Sequence, residues 1–228
     1  MQIRDVTFLD VISFNIYRQS VFFYENLTDE TISQWILINE KTLSELTKPN
    51  PDIDPIDGRL LRVQARSEID KWKKLSIHKN DLGLYTQLIS RAIPTILKAD
   101  YLLASEKSTL INKRFLSIEK LCLAARKNLI KITQSDSEYG LENLTKTIED
   151  LKKNGDTSKI SNNDSNRLKV IETIEFLIDF IQTLEPSSEN NNAILGQAEY
   201  DRQLGLYTDS ELTSKQLAKM ALEEIETV

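Results

Sequence analysis

Residues 111–132 read INKRFLSIEKLCLAARKNLIKI, and their reading decides the fold. Ile111, Phe115, Ile118, Cys122, Ala125, Leu129 and Ile132 recur at alternating spacings of four and three. That is the a/d seam of a helix packed along its length, and it predicts a helix over 106–133. Leu116, Leu123 and Ile130 form a second apolar row at spacing seven, roughly 100–140° around from the first. Two apolar rows predict a central helix with neighbours on more than one side.

The flanking sequence repeats this helical pattern. Residues 29–46 place Ile32, Trp35, Ile36, Leu43 and Leu46 near one face. A helix is predicted over 58–77 on Leu61, Ala65, Ile69, Trp72 and Leu75. Another is predicted over about 81–104, with Asn80 as its cap and Pro94 kinking or splitting it near Arg91. Shorter periodic stretches follow at 138–153, stopping at Asn154-Gly155, and at 165–184, where Phe176 and Phe180 widen an already broad apolar arc. Thr208 with Glu211 reads as a capping box for the last helix. In residues 1–27, Ile12, Phe14 and Ile16 alternate as in a strand, but a lone strand would lack a partner, so helix is the expectation.

The fold class expected is therefore all-α: an irregular multi-helix bundle with an N-terminal helical segment and a C-terminal helical hairpin. The expected organisation is an aromatic-rich helical segment at 1–48, a Pro-rich linker at 49–57, the bundle core at 58–185, a polar linker at 186–192 and the hairpin at 193–228. Of the five prolines, three fall in residues 48–55, which end the preceding helix.

The composition removes much chemistry. The 228 residues contain one Cys and one His, so no disulfide within the chain, multi-Cys zinc site or two-His metal site can form. There is no Gly-rich phosphate loop, Gly-x-Ser-x-Gly or Cys-x-x-Cys. An EF-hand reading of Asp52, Asp54, Asp57 and Gly58 fails because Val63 stands where Glu is required. No catalytic residue, metal ligand or cofactor is assigned. His78, near the end of the helix predicted at 58–77, reads as a cation suited to the helix dipole, and Cys122 as a buried, inert thiol. The longest unbroken apolar run is 121–125, far short of the about 20 residues that span a bilayer. No membrane insertion is expected, and the localisation expected is cytoplasmic, as a soluble intracellular protein.

Charge is segmented. The net charge of −6 conceals −5 over residues 1–60, +9 over 61–134 and −10 over 135–228. Within the basic middle, Arg62, Arg66 and Lys73 cluster on one helix face. Lys113, Lys120, Lys127 and Lys131 cluster on another. These seven are candidate contacts for phosphate or for an acidic partner. Glu172, Glu175 and Asp179 form a carboxylate row. Residues 1–35 hold 7 of the 16 aromatics, and Phe14, Tyr17, Phe22, Phe23 and Trp35 are candidate interface anchors.

The function expected is a non-enzymatic helical protein–protein interaction module, an adaptor, chaperone-like or assembly subunit, with a protein partner or self-association. The alternative is a nucleic-acid-associated subunit that binds the phosphate backbone through residues 61–134. Against it, no aromatic accompanies the stripes to stack bases, so nucleic acid is not the favoured partner. A third reading, a carboxylate-dependent enzyme, needs a concave pocket around Glu172, Glu175 and Asp179.

Overall fold

The computed structural model describes residues 26–46, 55–156, 164–187, 196–208 and 210–227. Among these the fold is all-α, a multi-helix bundle of eight α-helices. They are α1 (Asp29–Leu46), α2 (Pro55–Ile69), α3 (Leu82–Leu97), α4 (Ala104–Asn128), α5 (Gln134–Asp156), α6 (Asp164–Thr183), α7 (Gly196–Thr208) and α8 (Ser214–Thr227). The chain divides into two compact units. The first comprises Met1–Ile16, Gln34–Leu75 and Glu189–Val228; the second comprises Tyr17–Ser33 and Ser76–Ser188. The reading of residues 1–25 as helix lies outside the described residues.

The second unit is a four-helix arrangement of α3, α4, α5 and α6. Helix α3 packs on α4 and α5, and α6 packs on the same two. Contacts near the helix ends give the directions. Lys107 at the start of α4 donates to the Leu97 carbonyl at the end of α3 (3.1 Å), so these two are antiparallel. Arg167 at the start of α6 donates to the Leu151 carbonyl late in α5 (3.2 Å), so these are antiparallel too. Asn166 donates to Asn112 (3.2 Å) and Lys169 to Glu119 (2.7 Å), which sets α6 parallel to α4. The start of α5 lies against the start of α3, where a Cβ on Gly140 would come within 2.9 Å of Leu82 Cγ. Only glycine permits that approach without a shift.

The interior of this unit is the predicted seam. Ile111, Phe115, Ile118, Cys122 and Ala125 of α4 are at most 1% exposed, and Ile89, Leu144, Val170, Ile174, Leu177 and Ile181 are also buried. Helix α4 stops at Asn128, earlier than 133. The Asn128 amide donates to the Leu27 carbonyl (2.8 Å) and to the Tyr85 hydroxyl (3.0 Å), and Tyr85 donates to the His78 carbonyl (2.9 Å). The chain then runs extended from Leu129, and the N–H groups of Ile130 and Lys131 turn to the Lys79 carbonyl. Ser187 donates to the Ile132 carbonyl (2.8 Å). Leu129 and Ile132 stay buried, so the apolar spacing persists although the helix does not. These partners satisfy the backbone groups that the helix gives up.

Other boundaries differ for local reasons. The helix predicted at 58–77 starts at Pro55, whose fixed φ suits the first helical position. It ends in a π-turn at Asp70–Lys74, where Leu75 donates to the Asp70 carbonyl (2.9 Å), and Ser76 then takes φ 48°. A 3-10 turn at Ile77–Lys79 follows. Asp81, not Asn80, caps α3 by accepting from the Leu84 N–H (3.0 Å). Helix α3 is not split at Pro94; it continues to Leu97, and the Thr95 hydroxyl donates to the Arg91 carbonyl (2.7 Å). Helix α5 passes Asn154-Gly155 to reach Asp156. The capping box of α8 is Thr213 with Gln216, not Thr208 with Glu211. Gln216 Oε1 accepts from the Thr213 N–H (2.8 Å), and Thr213 Oγ1 accepts from the Gln216 N–H (3.3 Å). The Thr208 hydroxyl donates to the Leu204 carbonyl (2.7 Å).

The first unit is held partly by a buried carboxylate. Glu68 Oε2 accepts from the indole N–H groups of Trp35 (2.9 Å) and Trp72 (3.0 Å), and Lys71 pairs with Oε1 (3.1 Å). Arg202 of α7 pairs with Asp70 (2.7 Å) and Glu199, and Lys74 pairs with Glu199 (2.8 Å). The guanidinium of Arg202 and the ammonium of Lys74 together hold the Glu199 carboxyl down at about 2. Met220, Leu222 and Ile225 of α8 are exposed.

Candidate interaction surface

The two cation stripes lie on different units. In the first, Arg62 donates weakly to the Leu46 carbonyl (3.5 Å), Arg66 is exposed, and Lys73 is ion-paired with Glu40 (2.8 Å). In the second, Lys113, Lys120 and Lys127 project from α4 and Lys131 from the extended leg after it, all exposed. Lys127 pairs with Asp29 (3.0 Å), while Lys113 and Lys120 make no ion pair among the described residues.

The second apolar row of α4 shares this cationic face. Leu116, Leu123 and Ile130 are 53%, 60% and 70% exposed. The expectation of helix neighbours on that side is therefore corrected: the row faces outward. Between residues 113 and 131 the exposed side chains are Lys113, Leu116, Lys120, Leu123, Arg126, Lys127, Ile130 and Lys131. The one carboxylate in that stretch, Glu119, is tucked against Lys169. Cations and aliphatics thus alternate along about 20 Å of helix.

The other candidates are placed less favourably for a site. Trp35 is a core residue, 3% exposed and bonded to Glu68, so it presents no anchor to a partner. Phe14, Tyr17, Phe22 and Phe23 lie outside the described residues. Glu172, Glu175 and Asp179 fan outward from α6 into solvent, with Glu175 beside Lys152 (3.6 Å). Phe176, expected inside, is 52% exposed on the same side. Among the described residues no group of three His, Cys, Asp or Glu side chains is arranged to hold a metal. Burial pushes the Cys122 thiol up to about 12, far from a nucleophilic thiolate. A groove of about 400 Å³ opens between α3 and α5, with Ile89, Ile93, Leu97 and Leu151 as its apolar lining and Lys98 and Asp150 exposed beside it. Its two hydroxyls are turned to backbone, Ser90 donating to the Gln87 carbonyl (3.3 Å) and Thr147 to the Asn143 carbonyl (2.7 Å).

His78 is buried, not an exposed cation at a helix end. Burial lowers its pKa, with Lys79 adding to the effect and Asp29 opposing it. The unfolded chain takes up a proton near pH 6.5 that the native imidazole resists. The stability this gives is complete above that pH and is lost as pH falls below it. The His78→Gln variant should accordingly lose less stability than the wild type between pH 7.5 and 5.5. Urea midpoints at the two pH values test this; equal losses would contradict it.

Sequence reasoning found the lysines but missed their neighbours. The signal for the mixed surface was present: Leu116 and Leu123 follow Lys113 and Lys120 by three residues, which on a helix puts them on adjoining rows. Glu68 was also readable as an acid on the apolar face of Ala65 and Trp72.

No protein-family model matches the chain, and no curated protein matches it. A solved structure from Shewanella oneidensis, "a putative lipoprotein of unknown function", resembles it with a TM-score of 0.75 at 13% identity. The match covers 96% of this chain and 45% of that one, so this chain spans less than half the length of its structural neighbour. At that identity the likeness extends to the fold alone. None of the described helices is long and apolar enough to cross a membrane.

Proposed function

We propose that this chain is a non-enzymatic protein–protein interaction module that docks partners through the outer face of α4. One observation carries the reading: Leu116 and Leu123 are more than half exposed between lysines on α4, whose opposite face fills the core, and Ile130 is exposed on the extended leg that follows. Aliphatic side chains at spacing seven match the recurring face of a partner helix. Flanking lysines would select carboxylates on that partner and speed encounter. The nucleic-acid reading draws on the same lysines, but the leucines add nothing to phosphate binding.

Affinity capture at endogenous level tests this, comparing the wild type with Leu116→Glu/Leu123→Glu and with Leu60→Glu, a control on the other unit. The expected result is a protein set retained by the wild type and by Leu60→Glu but lost from the double variant. Retention by all three would overturn the reading. So would binding to a random-sequence DNA duplex that weakens with salt and disappears in Lys113→Glu/Lys120→Glu/Lys127→Glu.

A further inference from the structure

Helices α4 and α6 lie side by side and parallel, and together form one outer layer of the second unit. At 100° per residue their outward side chains fall into three bands. The seam between the helices is marked by Asn112 with Asn166 and by Glu119 with Lys169. Moving from the seam across α4, Leu116 and Leu123 come first, and Lys113, Lys120 and Lys127 form the far edge. Moving across α6, Phe176 comes first, then Glu172 and Asp179. Glu175, beside Lys152 of α5, marks the opposite edge. The layer therefore has a cationic edge, a middle in which Leu116, Leu123 and Phe176 flank Arg126 and Lys169 at the seam, and an anionic edge that also carries Leu168, all exposed. Lys113, Lys120, Glu172 and Asp179 make no ion pair among the described residues.

We infer that this layer pairs with the same layer of a second copy of the chain, around a two-fold axis parallel to the helices. A two-fold contact requires a self-complementary patch. An axis along the helices exchanges left and right. Each lysine edge then lies over the carboxylate edge of the other copy, and Leu116 and Leu123 of each copy face Phe176 of the other. An axis across the helices would set lysine on lysine, which like-charge repulsion disfavours. A nucleic acid or an anionic bilayer would meet the carboxylate edge, whereas a second copy satisfies both edges. The inference rests on the reading of the α4 face as a docking surface, and it names one occupant.

The footprint is small. Fifteen residues of helix span about 22 Å, and two helices about 10 Å apart cover a width of about 20 Å. The patch is below the roughly 800 Å² per partner of a standard interface, so the dimer should be weak. Sedimentation velocity of the full chain from about 5 to about 500 μM covers the relevant affinities. The expected result is a dimer that grows with concentration and weakens with salt. Lys113→Glu/Lys120→Glu/Lys127→Glu and Glu172→Lys/Glu175→Lys/Asp179→Lys should each weaken it at least about tenfold. Mixing the two variants should restore it, because one copy then carries two acidic edges and the other two basic ones. Far-UV circular dichroism shows whether each variant is folded. A wild-type monomer at every concentration overturns the inference. So does a dimer indifferent to both variants, or folded variants that fail to rescue each other. None of these outcomes touches the affinity-capture comparison, which reads foreign proteins and depends on Leu116 and Leu123.

Discussion

Phe115→Ala should destabilise the second unit by about 3–5 kcal/mol, the cost of emptying a buried aromatic site that cannot collapse. Phe115 is wholly buried on α4. That helix packs against both α3 and α6, so the lost volume opens onto two partners. The adjoining residue supplies the control. Leu116 is 53% exposed, and Leu116→Ala should change stability by no more than about 0.5 kcal/mol. Urea unfolding followed by far-UV circular dichroism compares the two. Similar losses would mean that α4 is turned differently, and the docking face would then be misassigned.

Glu68→Ala should cost about 3–5 kcal/mol in the first unit. Two indole N–H groups lose the carboxylate oxygen they share, and leaving buried donors without that acceptor costs about 1–3 kcal/mol each. Lys71, about a third exposed, keeps access to water and adds little to the cost. Glu68→Gln keeps an acceptor oxygen and should lose less. The measurement is unusually direct, because the chain has two tryptophans and both bind this carboxylate. Their fluorescence reports the site itself. A loss below about 1 kcal/mol would show that the indoles find other acceptors at little cost.

The contrast between Phe115 and Leu116 also marks how far the sequence could be read. The four-three seam located the buried face of α4 because only sustained contact explains apolar residues at every turn. The seven-spaced row at Leu116 was equally regular, yet it faces outward. Spacing identifies a face; it does not reveal whether another helix covers it. Phe176 was misread in the same way. The end of α4 was hidden for another reason. Leu129 and Ile132 keep the helical spacing, but the break depends on Asn128 reaching Leu27 and Tyr85, residues 101 and 43 positions away. The same holds for Glu68, whose acceptor role requires Trp35, 33 positions earlier. The lysine stripes were legible as helical arithmetic. The layer in which they join Phe176 and the carboxylates of α6 required knowing that α4 and α6 are neighbours.

Zero-length carbodiimide cross-linking of an equal mixture of isotopically heavy and light chains tests the central claim most directly. The account predicts mixed-isotope links that join Lys113, Lys120 or Lys127 of one copy to Glu172 or Asp179 of the other, reduced by high salt. Links confined to single copies, or mixed links located elsewhere on the chain, would contradict it.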